Sequence, residues 1–343
     1  LPYQVTVTGK GTITYIYDAT GNKLEKRTVE TSPPKTTKTT YLGGYVYQND
    51  TLQFLAHEEG RIRKKPDNSY VYDYFVKDHL GNTRMVLTEE YQQDTYPVAT
   101  LEDGATSVES NYYQINTGAI AVNPASLPST YQNNNGNPPY NTNPASNTTA
   151  TSAKMYKLNG STGDKTGLGI TLRVMTGDTV NILGKSFWHT NGSDPVNTYN
   201  IVVNDLLTAL AGTSAVVAGT HGTVTSSGLT GSSVVPGDVT SWLSNAPVVS
   251  TKPKAYINWI LFDEQFRVVS SNSGFSSVNG TSDVLNTHLQ AVNISRNGYL
   301  YVYCSNESNT DVFFDNLQLI HSRGPLLEET HYYPFGLAMA GIN

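Results

Sequence analysis

The chain is poor in charge, in sulfur and in long apolar runs. Of its 343 residues only 15% are charged, against about 25% in an ordinary soluble domain. With 22 Lys and Arg against 28 Asp and Glu, the net charge is −6. No stripe of basic residues runs along it, so the electrostatic footprint of a nucleic-acid binder is missing. The single cysteine, Cys304, excludes an intrachain disulfide framework and a cysteine-cluster metal site. No apolar run approaches the ~18 residues of a membrane-spanning helix. The densest, Tyr256 to Phe262 (YINWILF), has the length of a strand. Neither HExxH nor G-x-S-x-G occurs, which removes the local signatures of a zinc protease and of a hydrolase nucleophile elbow.

What is present is strand and turn chemistry. There are 23 tyrosines, 29 glycines and 16 prolines, and Thr, Ser, Asn and Val fill much of the rest. Tyr, Thr and Val suit a pleated surface, while Gly, Asn and Pro suit tight turns. The expectation is an all-β protein, and a helical bundle is excluded. Residues 1–95 carry short alternating runs, beginning with a hairpin in VTVTGKGTITYIYD around Gly9-Lys10-Gly11. Strands recurring about every 10 to 12 residues predict an extended antiparallel sheet. The segment contains an echo: YIYDATGN (15–22) aligns with FVKDHLGN (75–82). In both, Asp18 or Asp78 opens a turn by accepting backbone N–H bonds, and Gly21 or Gly81 supplies the positive φ. An aromatic residue three positions before each Asp packs on the adjoining strand.

Composition shifts near residue 96. The tract YQNNNGNPPYNTNPASNTTAT (131–151) reads as a long loop or linker. After it come strand patterns in KMYKLNG, GITLRVMTGDTVNILGKSFWH, AYINWILFDEQFRVVS, SVNGTSDVLNTHLQAVNIS, GYLYVYCSNES and DVFFDNLQLIHS. Short helices are expected only at 204–219 and 236–245. About eight strands predict a jelly-roll-like β-sandwich. Beyond Gly324-Pro325 the tyrosine-rich style returns in LLEETHYYPFGLAMAGIN. The predicted organisation is therefore a sheet segment over 1–95, an inserted sandwich over 96–325, and a return strand over 326–343. The start, LPYQVTV, has neither initiator methionine nor signal peptide, and the chain reads as a segment of a longer polypeptide.

Segments TITYIYDATGNKL (12–24) and YDYFVKDHLGNTRMVL (72–87) resemble the RHS, or YD-repeat, proteins of bacteria. The tail HYYPFGLAMAG (331–341), with Pro334, Phe335 and Gly336, is similar to a turn-bearing segment of the same core. ITLRVMTGDTV and GYLYVYCSNESNTDVFFDNLQL resemble a carbohydrate-binding-module-like sandwich carried by some members. The resemblance implies a structural role at the cell surface or outside the cell: a β-scaffold displaying a sandwich that binds glycans. In the family, YD repeats wind into a shell around a toxin. This chain carries few repeats and ends before the family's self-cleavage segment, so neither proteolysis nor toxicity carries over to any residue, and a shell fragment is an alternative. A further alternative rests on physics. A sheet with too few strands to close leaves edge N–H and C=O groups for pairing with other copies of the chain, giving a fibre.

The candidate chemistry is sparse. The histidines His57, His79, His189, His221, His288, His321 and His331 form no i, i+4 pair, and a Ser/His/Asp triad could arise only from distant residues. The carboxylate doublets Glu58-Glu59, Asp263-Glu264 and Glu328-Glu329 point to opposite faces of a strand and suit turns and solvated faces. Cys304, alternating with aromatics, reads as a buried small hydrophobe. No enzyme is expected. By the resemblance, Glu109 and Asp315 are the pair for a structural calcium, with Asp315 closing a hydrogen-bonded strand end as the competing reading. Sugar recognition needs flat aromatics beside amides, which makes Trp188, Trp242, Tyr112 and Tyr113 candidates, and Tyr131 and Tyr140 likewise lie near loop signals. The competing reading places Trp188 and Trp259 in the core.

Overall fold

Alternating Thr, Val and Tyr build strands, and Asp-Gly-Asn chemistry folds them back on one another. The computed structural model describes residues 1–102, 104–122, 154–190, 251–333 and 337–338. It is all-β with antiparallel sheets, and it divides into two compact units: Leu1–Tyr91 with the chain from Pro325, and Gln92–Gly324. The helices expected at 204–219 and 236–245 lie outside the described residues.

The first unit is a meander of β1 (Gln4–Val7), β2 (Gly11–Tyr17), β3 (Lys23–Thr31), β4 (Pro34–Leu42), β5 (Tyr45–Gln48), β6 (Thr51–His57), β7 (Gly60–Lys64), β8 (Tyr70–Lys77) and β9 (Thr83–Thr88). Each strand pairs with the next. The two predicted Asp turns are superimposable in their bonding. Asp18 Oδ1 accepts from the N–H of Thr20 at 2.9 Å and of Asn22 at 2.8 Å, and the Asn22 amide donates to Oδ2 at 2.9 Å. Asp78 repeats this with Leu80 at 3.0 Å, Asn82 at 2.9 Å and the Asn82 amide at 3.1 Å. Gly21 and Gly81 take φ of 90° and 84°, values open to glycine at little cost. The Asn22 side-chain bond leads in pushing Asp18 down to about 2, and the Asn82 bond leads in lowering Asp78. Each hairpin also shifts register one residue before its Asp, at Ile16/Tyr17 and Val76/Lys77. Tyr15 lies under the Lys23 ammonium and Phe75 beside Arg61 on β7, so the aromatics pack on the adjoining strand as expected.

A single layer of this kind has little interior. Among the described residues of this unit, the buried hydrophobic side chains are Val71 and Val86. One face instead displays Tyr70, Tyr72 and Tyr74. The Tyr72 and Tyr74 rings stack at 6.5 Å, with His57 edge-on to both.

The second unit interrupts the meander. It comprises β10 (Gln93–Thr95), α1 (Thr106–Glu109), β11 (Ile120–Val122), β12 (Lys154–Leu158), β13 (Thr166–Val174), β14 (Thr179–Trp188), β15 (Ala255–Asp263), β16 (Gly274–Ser277), β17 (Asn286–Asn293), β18 (Gly298–Asn306) and β19 (Val312–Ser322). One sheet runs β11-β12-β19-β14-β17 with β10 also on β19, and the other β13-β18-β15-β16. Their facing side chains make one core, including Ile182, Leu317 and Leu319 from the first sheet and Leu172, Ile257 and Val302 from the second. At Gly184 the layers approach so closely that a Cβ would lie 2.7 Å from Ile257 Cδ1. The boundary moves from the expected residue 96, because β10 pairs Gln93 with Ser322 and Thr95 with Ile320. Hydrogen bonding to β19 assigns this short strand to the sandwich.

After the insertion, β20 (Leu326–Glu329) returns to pair with β9, completing the ten-stranded order β1 through β9 then β20. The Thr88 N–H donates to Pro325 O at 2.7 Å. The chain therefore leaves and re-enters this sheet between hydrogen-bonded neighbours.

Candidate functional site

Strand alternation gathers charge on one face of the ten-stranded sheet. Arg61 on β7 is the register partner of Asp73 on β8, and Asp73 is the partner of Thr88 on β9. Arg63, two residues on, shares the face of Arg61. Asp73 is fully buried. Burial alone would push its carboxyl up, but hydrogen bonds from Arg63, Arg61 and Thr88 outweigh this and hold it below the usual carboxylate range. Arg63 is committed: it bonds Asp73 through Nε and Nη2, and Nη2 also reaches Glu90 at 2.8 Å and Thr88 at 3.3 Å. Its bond to Asp73 leads in raising its pKa. Arg61 differs. Its Nε donates to Asp73 at 2.8 Å, and its Cζ lies 5.7 Å from the Phe54 ring centroid and 5.9 Å from that of Phe75. Beside it lies a groove of about 430 Å³, lined by Val46, Gln48, Gln53 and Phe54 as well as by the two arginines.

In the sandwich, His288, His321, Asp178 and Asp263 tie segments of the chain together. His288 is buried on β17 between Ser186 Oγ and Ser276 Oγ, each 2.8 Å from a ring nitrogen, and so bridges the two sheets. Burial pushes its pKa down to about 4. Ser186 is fully buried too, so this contact is a neutral tie and not an exposed nucleophile with its base. His321 meets Asp178 at 2.7 Å. Asp178 also accepts from the N–H of Gly324 and Met175, and these bonds outweigh burial and lower its pKa. Asp263 of the predicted doublet opens a third Asp turn. Its Oδ1 accepts from the N–H of Gln265 and Arg267, and Phe266 (φ 57°) stands where the other two turns have glycine.

Glu109 and Asp315 are both buried. Glu109 accepts from Thr100 N and Oγ1 and from Leu101 N, at 2.6 to 2.9 Å, which spends both of its oxygens on one strand-like segment. Asp315 is raised well above the carboxylate range, first by burial and also by Glu102 and Glu109, with the Asn316 N–H and Lys185 opposing. Among the described residues, no three His, Cys, Asp or Glu side chains group to hold a metal ion.

Two of the aromatic candidates need correction. Trp188 is 3% exposed, with its indole N–H on Asn279 O, and Tyr113 is 2% exposed, with its hydroxyl on Pro97 O. Both complete the core and present no ring face to a sugar. Tyr112 is exposed and meets Tyr96 edge-on. Trp242, Tyr131, Tyr140 and His221 lie outside the described residues, as do Pro334, Phe335 and Gly336. On either side of these three residues, Tyr332 bridges Ala338, and the Tyr332 hydroxyl donates to Thr83 O. Cys304 is fully buried, as expected. The Arg61 groove escaped sequence reading because its residues come from separate strands. The only local sign was the alternating basic pair in RIR (61–63).

No protein-family model matches the chain, and no curated protein matches it.

Proposed function

We propose that the chain is a non-catalytic structural and adhesive segment of RHS-repeat type, acting at the cell surface or outside the cell, in which the sheet is a scaffold for the sandwich. The observation that carries this reading is the ten-stranded single layer, held by ladder hydrogen bonds, Asp turns and ion pairs with almost no interior of its own. Such a layer provides extended area, with adjacent exit and entry points for an inserted domain. The repeated Asp turns and the DHLGNTR string support the family assignment. The sandwich supports it through buried Glu109, Asp178 and His288, whose polar atoms tie its segments together. The experiment is product analysis after incubating purified chain with panels of oligosaccharides and peptides. No turnover is expected, and saturable turnover abolished by a single substitution would overturn the reading.

The outer edge of β1 favours a second reading, pairing between copies. All four residues of β1 are exposed, and among the described residues β1 pairs only with β2. Tyr15 N donates to Tyr3 O at 2.9 Å. Alternation along an antiparallel ladder then turns Val5 and Val7 toward β2 and the backbone groups of Gln4 and Thr6 outward. The edge lacks the Lys, Pro or bulge that blunts such strands.

A further inference from the structure

We propose that the groove beside Arg61 on the ten-stranded sheet binds a saccharide carrying a uronic-acid carboxylate. The inference stands apart from whether the sheet serves as a scaffold, since it rests on one side chain and its surroundings.

Arg61 is held on three sides: by Asp73 at its Nε and by the rings of Phe54 and Phe75 at its Cζ. Among the described residues its terminal amino groups make no hydrogen bond. A guanidinium fork fixed in this way has already lost its conformational freedom, so a carboxylate can engage both amino groups with little further ordering cost. Arg63 has less to offer, because Asp73, Glu90 and Thr88 occupy its Nε and Nη2. The two arginines share the one carboxylate of Asp73, which leaves positive charge beside the groove. The lining contains Arg61, Arg63 and Lys64 and no acidic side chain, a local field that attracts anions.

The rest of the lining selects among anions. Gln48, Gln53 and Thr39 both donate and accept, while Phe54 and Val46 form an apolar strip. A pyranose ring offers the complement, with hydroxyls around its rim and C–H groups on its face. An acidic peptide would also satisfy Arg61 and could bond the amides through its backbone, but it lacks a pyranose face for the Phe54 and Val46 strip, and the titration below separates the two. The volume of about 430 Å³ lies within the range of roughly 300–1,000 Å³ found for ligand sites. One sugar ring with its carboxylate on Arg61 fits the chemistry of every lining residue.

The test is isothermal titration of the intact chain with trigalacturonate, neutral galactotriose and triglutamate. Saturable binding is expected for trigalacturonate alone. Arg61→Gln is expected to weaken it by about tenfold or more, and Arg61→Lys, which keeps the charge but loses the fork, by nearly as much. Gln48→Ala leaves every ion pair intact and is expected to weaken binding by about threefold, which guards against a result due to a disturbed sheet. Absence of trigalacturonate binding, equal affinity for galactotriose, tighter binding of triglutamate, or an unaffected Arg61→Gln variant would each overturn the proposal.

Discussion

Acidification should loosen the sandwich through one residue, His288. Its pKa falls from 6.5 in the unfolded chain to about 4 in the folded protein, so the unfolded state binds the proton first. The stability linked to this residue is fully present above about pH 6.5 and is lost as pH falls toward 4. From about pH 7 to about pH 5, a shift of this size removes about 2 kcal/mol. The cause is burial: a protonated ring would carry its charge into the gap between the sheets, away from water. The assay is urea unfolding at a series of pH values, followed by tryptophan fluorescence, since all three tryptophans lie between positions 188 and 259. His288→Gln can still bond the serines but does not titrate. It should lose about 2 kcal/mol less than the natural chain over the same interval. Parallel pH profiles for the two proteins would refute the reasoning, because other groups titrate equally in both.

Burial raises the Cys304 thiol above its ordinary range. A thiol reagent at mildly alkaline pH should leave the folded chain unmodified and label it fully in guanidinium, and fast labelling of the native protein would contradict the packing of β18. For the β1 edge, sedimentation velocity should show concentration-dependent assembly that Thr6→Pro abolishes, because proline removes an outward N–H while the bonds to β2 remain. Strictly monomeric behaviour at high concentration would remove strand pairing between copies.

Local chemistry made much of the fold legible. The Asp18 and Asp78 turns, the strands from Lys154 to Ser322 and the return at Leu326 follow from residues adjacent in the chain. What escaped was set by partners far away in sequence. β10 is three residues long and owes its place to β19, more than two hundred positions later. Trp188 and Tyr113 sit next to loop signals, yet both pack into the sandwich core. Phe266 adopts a positive φ without glycine because Asp263 and Arg267 close the turn around it. The Arg61 groove depends on register among β4 to β8, which no window of sequence displays.

The adjacency of Thr88 and Pro325 has a consequence for how such a chain changes over time. To the meander, 233 intervening residues (92–324) are equivalent to a hairpin loop whose ends already touch, and the Gln93–Ser322 pairing closes the guest from its own side. Loop length adds only slowly to closure entropy, so the host is nearly indifferent to the size of its passenger. That makes this position a socket. Any domain with neighbouring termini can be plugged in or removed, and diversity can accumulate in the cargo while the sheet that carries it stays the same.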